Sequence, residues 1–114
     1  MKNLFKLISI FTKYAYDEND FILPSTQKKY LQIIKKLEQK NIELTFIPDV
    51  VSHFEQIGIP QNETKEKLLQ LSRQNVIELR PESGLNRLTK EEIQKCILID
   101  LSQDKYYLSW IRIV

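Results

Sequence analysis

The chain has only two glycines in 114 residues, Gly58 and Gly84, and that scarcity removes whole classes of chemistry. A phosphate-cradling loop needs closely spaced glycines so that backbone N–H groups can approach the ligand, and none is available. The single cysteine, Cys96, cannot close an internal disulfide, which fits a reducing compartment. With His53 as the only histidine, the chain lacks the three or four protein ligands that zinc requires. Ser52, Ser72, Ser83, Ser102 and Ser109 lack the GxSxG setting of a nucleophilic serine. The acid pairs Glu91–Glu92 and Asp17–Asp20 fall at helix starts and turns, where capping accounts for them. We therefore expect no enzyme activity and no cofactor.

Long apolar runs are also missing. No stretch approaches the ~20 residues of a membrane span. The opening MKNLFKLISIFTKYAY is interrupted by Lys6 and Lys13 and has no small-residue cleavage site, so it does not read as a signal peptide. The expected location is the cytoplasm, with no membrane partner. A net charge of +2 creates no global field towards a polyanion, so any attraction must be local. A hydrophobic content of 42% over 114 residues gives one domain with one core.

Leu4, Leu7, Ile8, Phe11 and Ala15 recur at helical steps, so residues 3–16 are expected to form an amphipathic helix. A second helix is expected over 26–40, capped by Ser25, lined by Tyr30, Ile33, Ile34 and Leu37, and stopped at Asn41. IELTF (42–46) has the composition of a short strand. Pro48 suits the first turn of a helix over 48–57, closed by a left-handed Gly58. Another helix follows over 62–74, with Leu68 and Leu71 inward and Leu69 off the stripe. Ile77 and Leu79 alternate with Glu78, as in a half-buried strand. Thr89 and Glu92 have the spacing of a capping box. CILIDL and YYLSWIRIV read as two strands joined by a turn, which places Tyr106 and Trp110 on one side and Tyr107 on the other.

The stretch IPDVVSHFEQIGIPQNETKEKLLQLSRQNVIELRP resembles the central part of bacterial winged-helix domains. NRLTKEEIQKCILID and YYLSWIRI are similar to members whose last strand is rich in tyrosine and contains a tryptophan. The resemblance covers roughly residues 30–113. It implies an α+β winged helix-turn-helix, in which 1–24 is a helical extension and 25–114 the core with a small antiparallel β-wing. It departs from the pattern at Pro60, which replaces the usual Ser or Thr cap, and at residues 90–95, which add a helical turn between the wing strands.

In such a domain the helix over 62–74 enters the major groove of double-stranded DNA, and the 80–87 loop touches the backbone or the minor groove. The implied DNA-binding residues are Gln61, Asn62 and Lys65 at the start of that helix, Arg73 at its end, and Arg80 and Arg87 in the loop. Asn and Gln match adenine, and Lys and Arg match guanine or phosphate. Lys28, Lys29, Lys35, Lys36 and Lys40 make the densest positive run, opposed only by Glu38. The implied function is non-catalytic DNA binding, as a small bacterial regulator or the DNA-contacting subunit of a larger system. The helix over 3–16 could support a homodimer or a larger assembly. The alternative is the same fold used as a protein-interaction module in a nucleic-acid-processing or defence complex.

Overall fold

The computed structural model describes residues 22–114. The expected helix over 3–16, and any dimer contact through it, lie outside these residues. The first described helix, α1 (Pro24–Lys36), starts one residue before the expected cap. Pro24 itself opens the helix: its ring presets φ, and its missing N–H would have had no helical partner. Leu23 is the N-cap residue, and its carbonyl accepts the Gln27 N–H at 2.9 Å. Lys35 and Lys36 occupy the last turn, where positive charge complements the helix dipole.

The helix ends at Lys36, short of the expected residue 40, because the chain doubles back. The Gln39 N–H donates to the Leu44 carbonyl at 2.9 Å, and Glu43 adopts the left-handed region at φ 58°. That turn also shortens the expected 42–46 strand to β1 (Thr45–Phe46). The buried Thr45 hydroxyl donates to the Ile34 carbonyl at 2.8 Å and ties β1 back to α1.

Helices α2 (Ile47–Gln56) and α3 (Gln61–Arg73) end in the same way. After α2, Gly58 takes φ 93°; its N–H donates to Glu55 and the Ile59 N–H to Phe54. After α3, Asn75 takes φ 63°; its N–H donates to Ser72 and the Val76 N–H to Leu71. Both are Schellman endings, each followed by an apolar residue that can pack back over the helix end. Between them the chain turns through Pro60, the N-cap of α3, without a side-chain cap.

One long strand organises the sheet. Strand β4 (Lys105–Ile113) pairs antiparallel with β2 (Ile77–Pro81), with β1, and with β3 (Ile97–Asp100). The order is β1-β4-β2, and β3 adjoins the first half of β4. Leu108 faces both Pro81 and Ile97, so β3 must lie on the edge of β4 away from β2. Between β2 and β3 run a 3-10 turn (Leu85–Arg87) and α4 (Lys90–Lys95). The expected capping box opens α4: the Thr89 hydroxyl accepts from the Glu92 N–H at 3.1 Å, and the Glu92 carboxylate accepts from the Thr89 N–H at 2.9 Å.

The result is an α+β fold in which the described helices pack on an antiparallel sheet. Ile34, Ile47, Val50, Val51, Phe54, Leu68 and Leu71 are fully buried, beside Ile77 and Ile111 of the sheet. Tyr30 of α1 stacks on Phe54 of α2 at 4.4 Å, so one aromatic pair joins the two helices. Burial raises the pKa of the Tyr30 phenol, against an opposing effect of the Thr64 side chain. Leu69, off the inward stripe of α3, is partly buried and packs against this core.

Candidate nucleic-acid interface

The outward positions of α3 follow from its buried ones. Thr64, Leu68 and Leu71 face the core, which leaves Asn62, Glu63, Glu66 and Arg73 exposed, with Gln61 half-buried. Of the cations expected here, Lys65 is turned aside. Its ammonium donates to the Gln94 carbonyl of α4 at 2.6 Å, and it is half-buried. Burial lowers its pKa, with Cys96 and Glu55 pulling the other way. Arg73 remains at the surface, but its guanidinium lies 3.4 Å from the Glu66 carboxylate.

The loop cations are similarly engaged. Arg80 shares one sheet face with Trp110, Glu78 and Arg112. Glu78 accepts Arg80 at 2.9 Å and stands 3.5 Å from Arg112. Arg87 is exposed on the 3-10 turn, where its charge helps to lower the pKa of Glu82. The structure therefore leaves Gln61, Asn62 and Arg73 on α3, Arg80 on β2 and Arg87 on the loop. Lys65 is joined to α4.

Two features of this region had no signal in the sequence. The first is a carboxylate staple. Glu82 accepts the Trp110 indole N–H at 2.7 Å and the Gly84 N–H at 2.9 Å, pinning the loop onto β4. The Trp110 hydrogen bond is the main reason that the Glu82 pKa is lowered, followed by the Gly84 N–H and the Arg87 charge, against partial burial. Trp110 thus serves the loop and packs on Phe46 at 4.8 Å. The second is the seat of α4. Lys95 donates to the Ser52 hydroxyl at 2.8 Å and lies 3.3 Å from Glu55, both on α2. With the Lys65–Gln94 bond, it holds α4 across α2 and α3. Cys96, the C-cap of α4, is buried with its thiol 3.2 Å from the Ser109 hydroxyl. Burial pushes that thiol up and keeps it protonated.

The other basic feature is α1. Lys28, Lys29, Lys35 and Lys36 all lie on its exposed face. Lys35 and Lys40 share Glu38, at 2.9 and 3.5 Å; the Lys35 hydrogen bond first, and then the charge of both lysines, lowers its pKa. Among the described residues, no acid lies within ion-pairing distance of Lys28, Lys29 or Lys36. Residues 24–40 carry five lysines against one glutamate, whereas residues 41–114 carry nine cations against eleven acids. Positive charge is concentrated on the first described helix rather than on α3 or the loop.

Among the described residues no His, Cys, Asp or Glu group is arranged to hold a metal ion, and no helix is long and apolar enough to cross a membrane. Comparison with protein-family models, curated proteins and solved structures finds no match.

Proposed function

We propose that this chain is a winged helix that binds double-stranded DNA without catalysis, as a small regulator or as the DNA-contacting subunit of a larger system. The observation that carries the reading is the sheet order β1-β4-β2, combined with the paired helices α2 and α3 on either side of the Gly58 turn. That order follows from a helix, a short strand, two helices and two long strands, which is how winged helices are wound. The segment from Glu82 to Asp100, with α4 and β3, stands where a simpler wing would be a hairpin tip.

In this reading the outward face of α3 offers Asn62 and Arg73 to base edges or phosphates. Arg80 and Arg87 lie on the backbone side. The acids beside Arg73 and Arg80 do not forbid this, because an exposed ion pair is worth only about 0–1 kcal/mol and a phosphate can replace the carboxylate. Lys65 is bonded to α4 and contributes little.

A second reading is a protein-interaction module of the same fold. The excess of acids over residues 41–114 favours it, as do exposed Leu98, Leu101 and Tyr106 near the β3–β4 turn. Fluorescence anisotropy with a mixed-sequence duplex across a salt series separates the two. The DNA reading expects binding whose log affinity falls linearly with log salt. No binding at low salt sinks it and leaves the interaction module.

A further inference from the structure

The strongest unopposed charge in the described molecule lies on α1 rather than on α3 or the loop. We propose that the outward face of α1, with Lys28, Lys29, Lys35 and Lys36, is the principal grip on the sugar-phosphate backbone of a duplex. This rests on the DNA-binding reading and deepens it by naming where the phosphates sit.

The geometry is that of two rows. Lys28 and Lys35 are seven residues apart, as are Lys29 and Lys36, so each pair spans about 10 Å along the helix. Gln32 is exposed between the rows, and the groove beside them includes Pro24 and the half-buried Leu31. The floor of that groove is largely apolar, so it is the two lysine rows along its rim, with Gln32 between them, that match the phosphates of a backbone. Lysine suits this task because it is a flexible point charge that meets phosphates without demanding one geometry. Lys35 and Lys36 also close the last helical turn, so they are held on a regular scaffold.

Charge complementarity favours α1 over α3. The exposed surface of α3 presents Glu63 and Glu66 alongside Arg73, and the anchored Lys65 adds nothing outward. Apart from the anchored Lys65, α3 sets two acids, Glu63 and Glu66, against two cations, the half-buried Lys67 and an Arg73 that lies against Glu66. A polyanion meets four lysines on α1, of which only Lys35 is paired with an acid among the described residues, Glu38 just past the helix end.

The test compares two variants of the full chain on one short mixed-sequence duplex, with poly-L-glutamate as a second probe. The first is Lys28→Gln/Lys29→Gln/Lys35→Gln/Lys36→Gln, in exposed positions where glutamine has nearly the helix propensity of lysine. The second is Arg73→Ala/Arg80→Ala/Arg87→Ala. Circular dichroism and thermal melting of both confirm that the fold is intact. The expected result is that the lysine variant loses up to about 3.5 units of the log–log salt slope, at about 0.9 per phosphate contact. The arginine variant should lose fewer. A lysine variant that keeps the wild-type slope overturns the α1 grip and leaves the DNA reading standing. Wild type that binds no duplex overturns both, and tight binding of poly-L-glutamate without duplex assigns the face to an acidic protein instead.

Discussion

Helices α1 and α3 are each thirteen residues long, each has a proline at or just before its first turn, and each ends in a basic residue. They differ in what their cations touch. On α1, Lys28, Lys29 and Lys36 point outward with no acid in reach among the described residues. On α3, Lys65 is bonded to the Gln94 carbonyl and Arg73 lies against Glu66. In the proposed winged-helix reading α3 would be the reading helix, yet available charge collects on α1. A helix's place in a fold and its electrostatic competence are separate properties, because the second depends on which acids and carbonyls the rest of the chain packs beside it.

The largest expected effect tests whether the two helices are one cooperative unit. Phe54 is fully buried and carries Tyr30 on its face, so Phe54→Ala should lower unfolding stability by about 3–5 kcal/mol. Urea denaturation followed by both circular dichroism and tryptophan fluorescence checks it. Non-coincident transitions would mean that α1 detaches separately, and the comparison between the helices would have to be made on independent units.

Gly58→Ala comes next. A Cβ at this position meets nothing within 4 Å, so the penalty is purely that of φ 93° in a residue with a side chain. The expected loss is about 1 kcal/mol, read from the denaturation midpoint. Since Gly58 fixes the entry to α3 and leaves α1 untouched, the variant should weaken any α3-dependent contact before an α1-dependent one.

Trp110→Phe removes the donor that holds Glu82. The bond lowers the Glu82 pKa, so its stabilisation is full above the ordinary carboxylate range and fades as pH falls through the folded value. The pH-dependent share of the variant's deficit should be about 1 kcal/mol at pH 7, moderated by solvent around a half-exposed carboxylate, and should vanish in strong acid. Paired melts across pH test this. A deficit constant with pH would mean that only the Phe46 packing was lost.

The smallest stability effect is expected for Glu66→Gln, within about 0.5 kcal/mol of wild type, since it breaks one exposed ion pair. Its value is electrostatic. By removing one acid from the outward face of α3, it should raise duplex affinity modestly and steepen the salt dependence if α3 approaches DNA at all.

Much of the scaffold was legible because local chemistry decided it. Gly58 closes α2 in the left-handed region, and Thr89 and Glu92 form the expected box. Val50, Val51, Phe54, Leu68 and Leu71 of the helical stripes are buried, although Ile57 at the end of the α2 stripe is exposed and Gln70 is buried. Errors came where local and longer-range preferences competed. Ser25 is a good cap on paper, but Pro24 already fits the first helical position, so the helix begins there. Helix propensity continues to residue 40, but the Gln39–Leu44 reversal ends α1 at Lys36. Asn75 gave no warning that it would end α3 as Gly58 ends α2.

The candidate site was less legible than the scaffold because its state depends on tertiary partners. Residue types named Gln61, Asn62, Lys65, Arg73, Arg80 and Arg87, but spacing could not reveal that Lys65 reaches Gln94, twenty-nine residues away. Nor could it reveal that Glu82 and Trp110, twenty-eight residues apart, meet at 2.7 Å. The i,i+7 lysine rows of α1, by contrast, were visible in sequence. Only the structure shows that acids are kept off three of those lysines among the described residues.

The most direct measurement is amine-reactive labelling of the lysines, read by mass spectrometry with and without a mixed-sequence duplex. The account predicts rapid labelling of Lys28, Lys29, Lys35 and Lys36 in the free protein and their protection by duplex. Lys65, half-buried and bonded, should label slowly in both samples. Duplex-dependent protection of Lys65 with none on α1 would contradict the account and return the contact to α3.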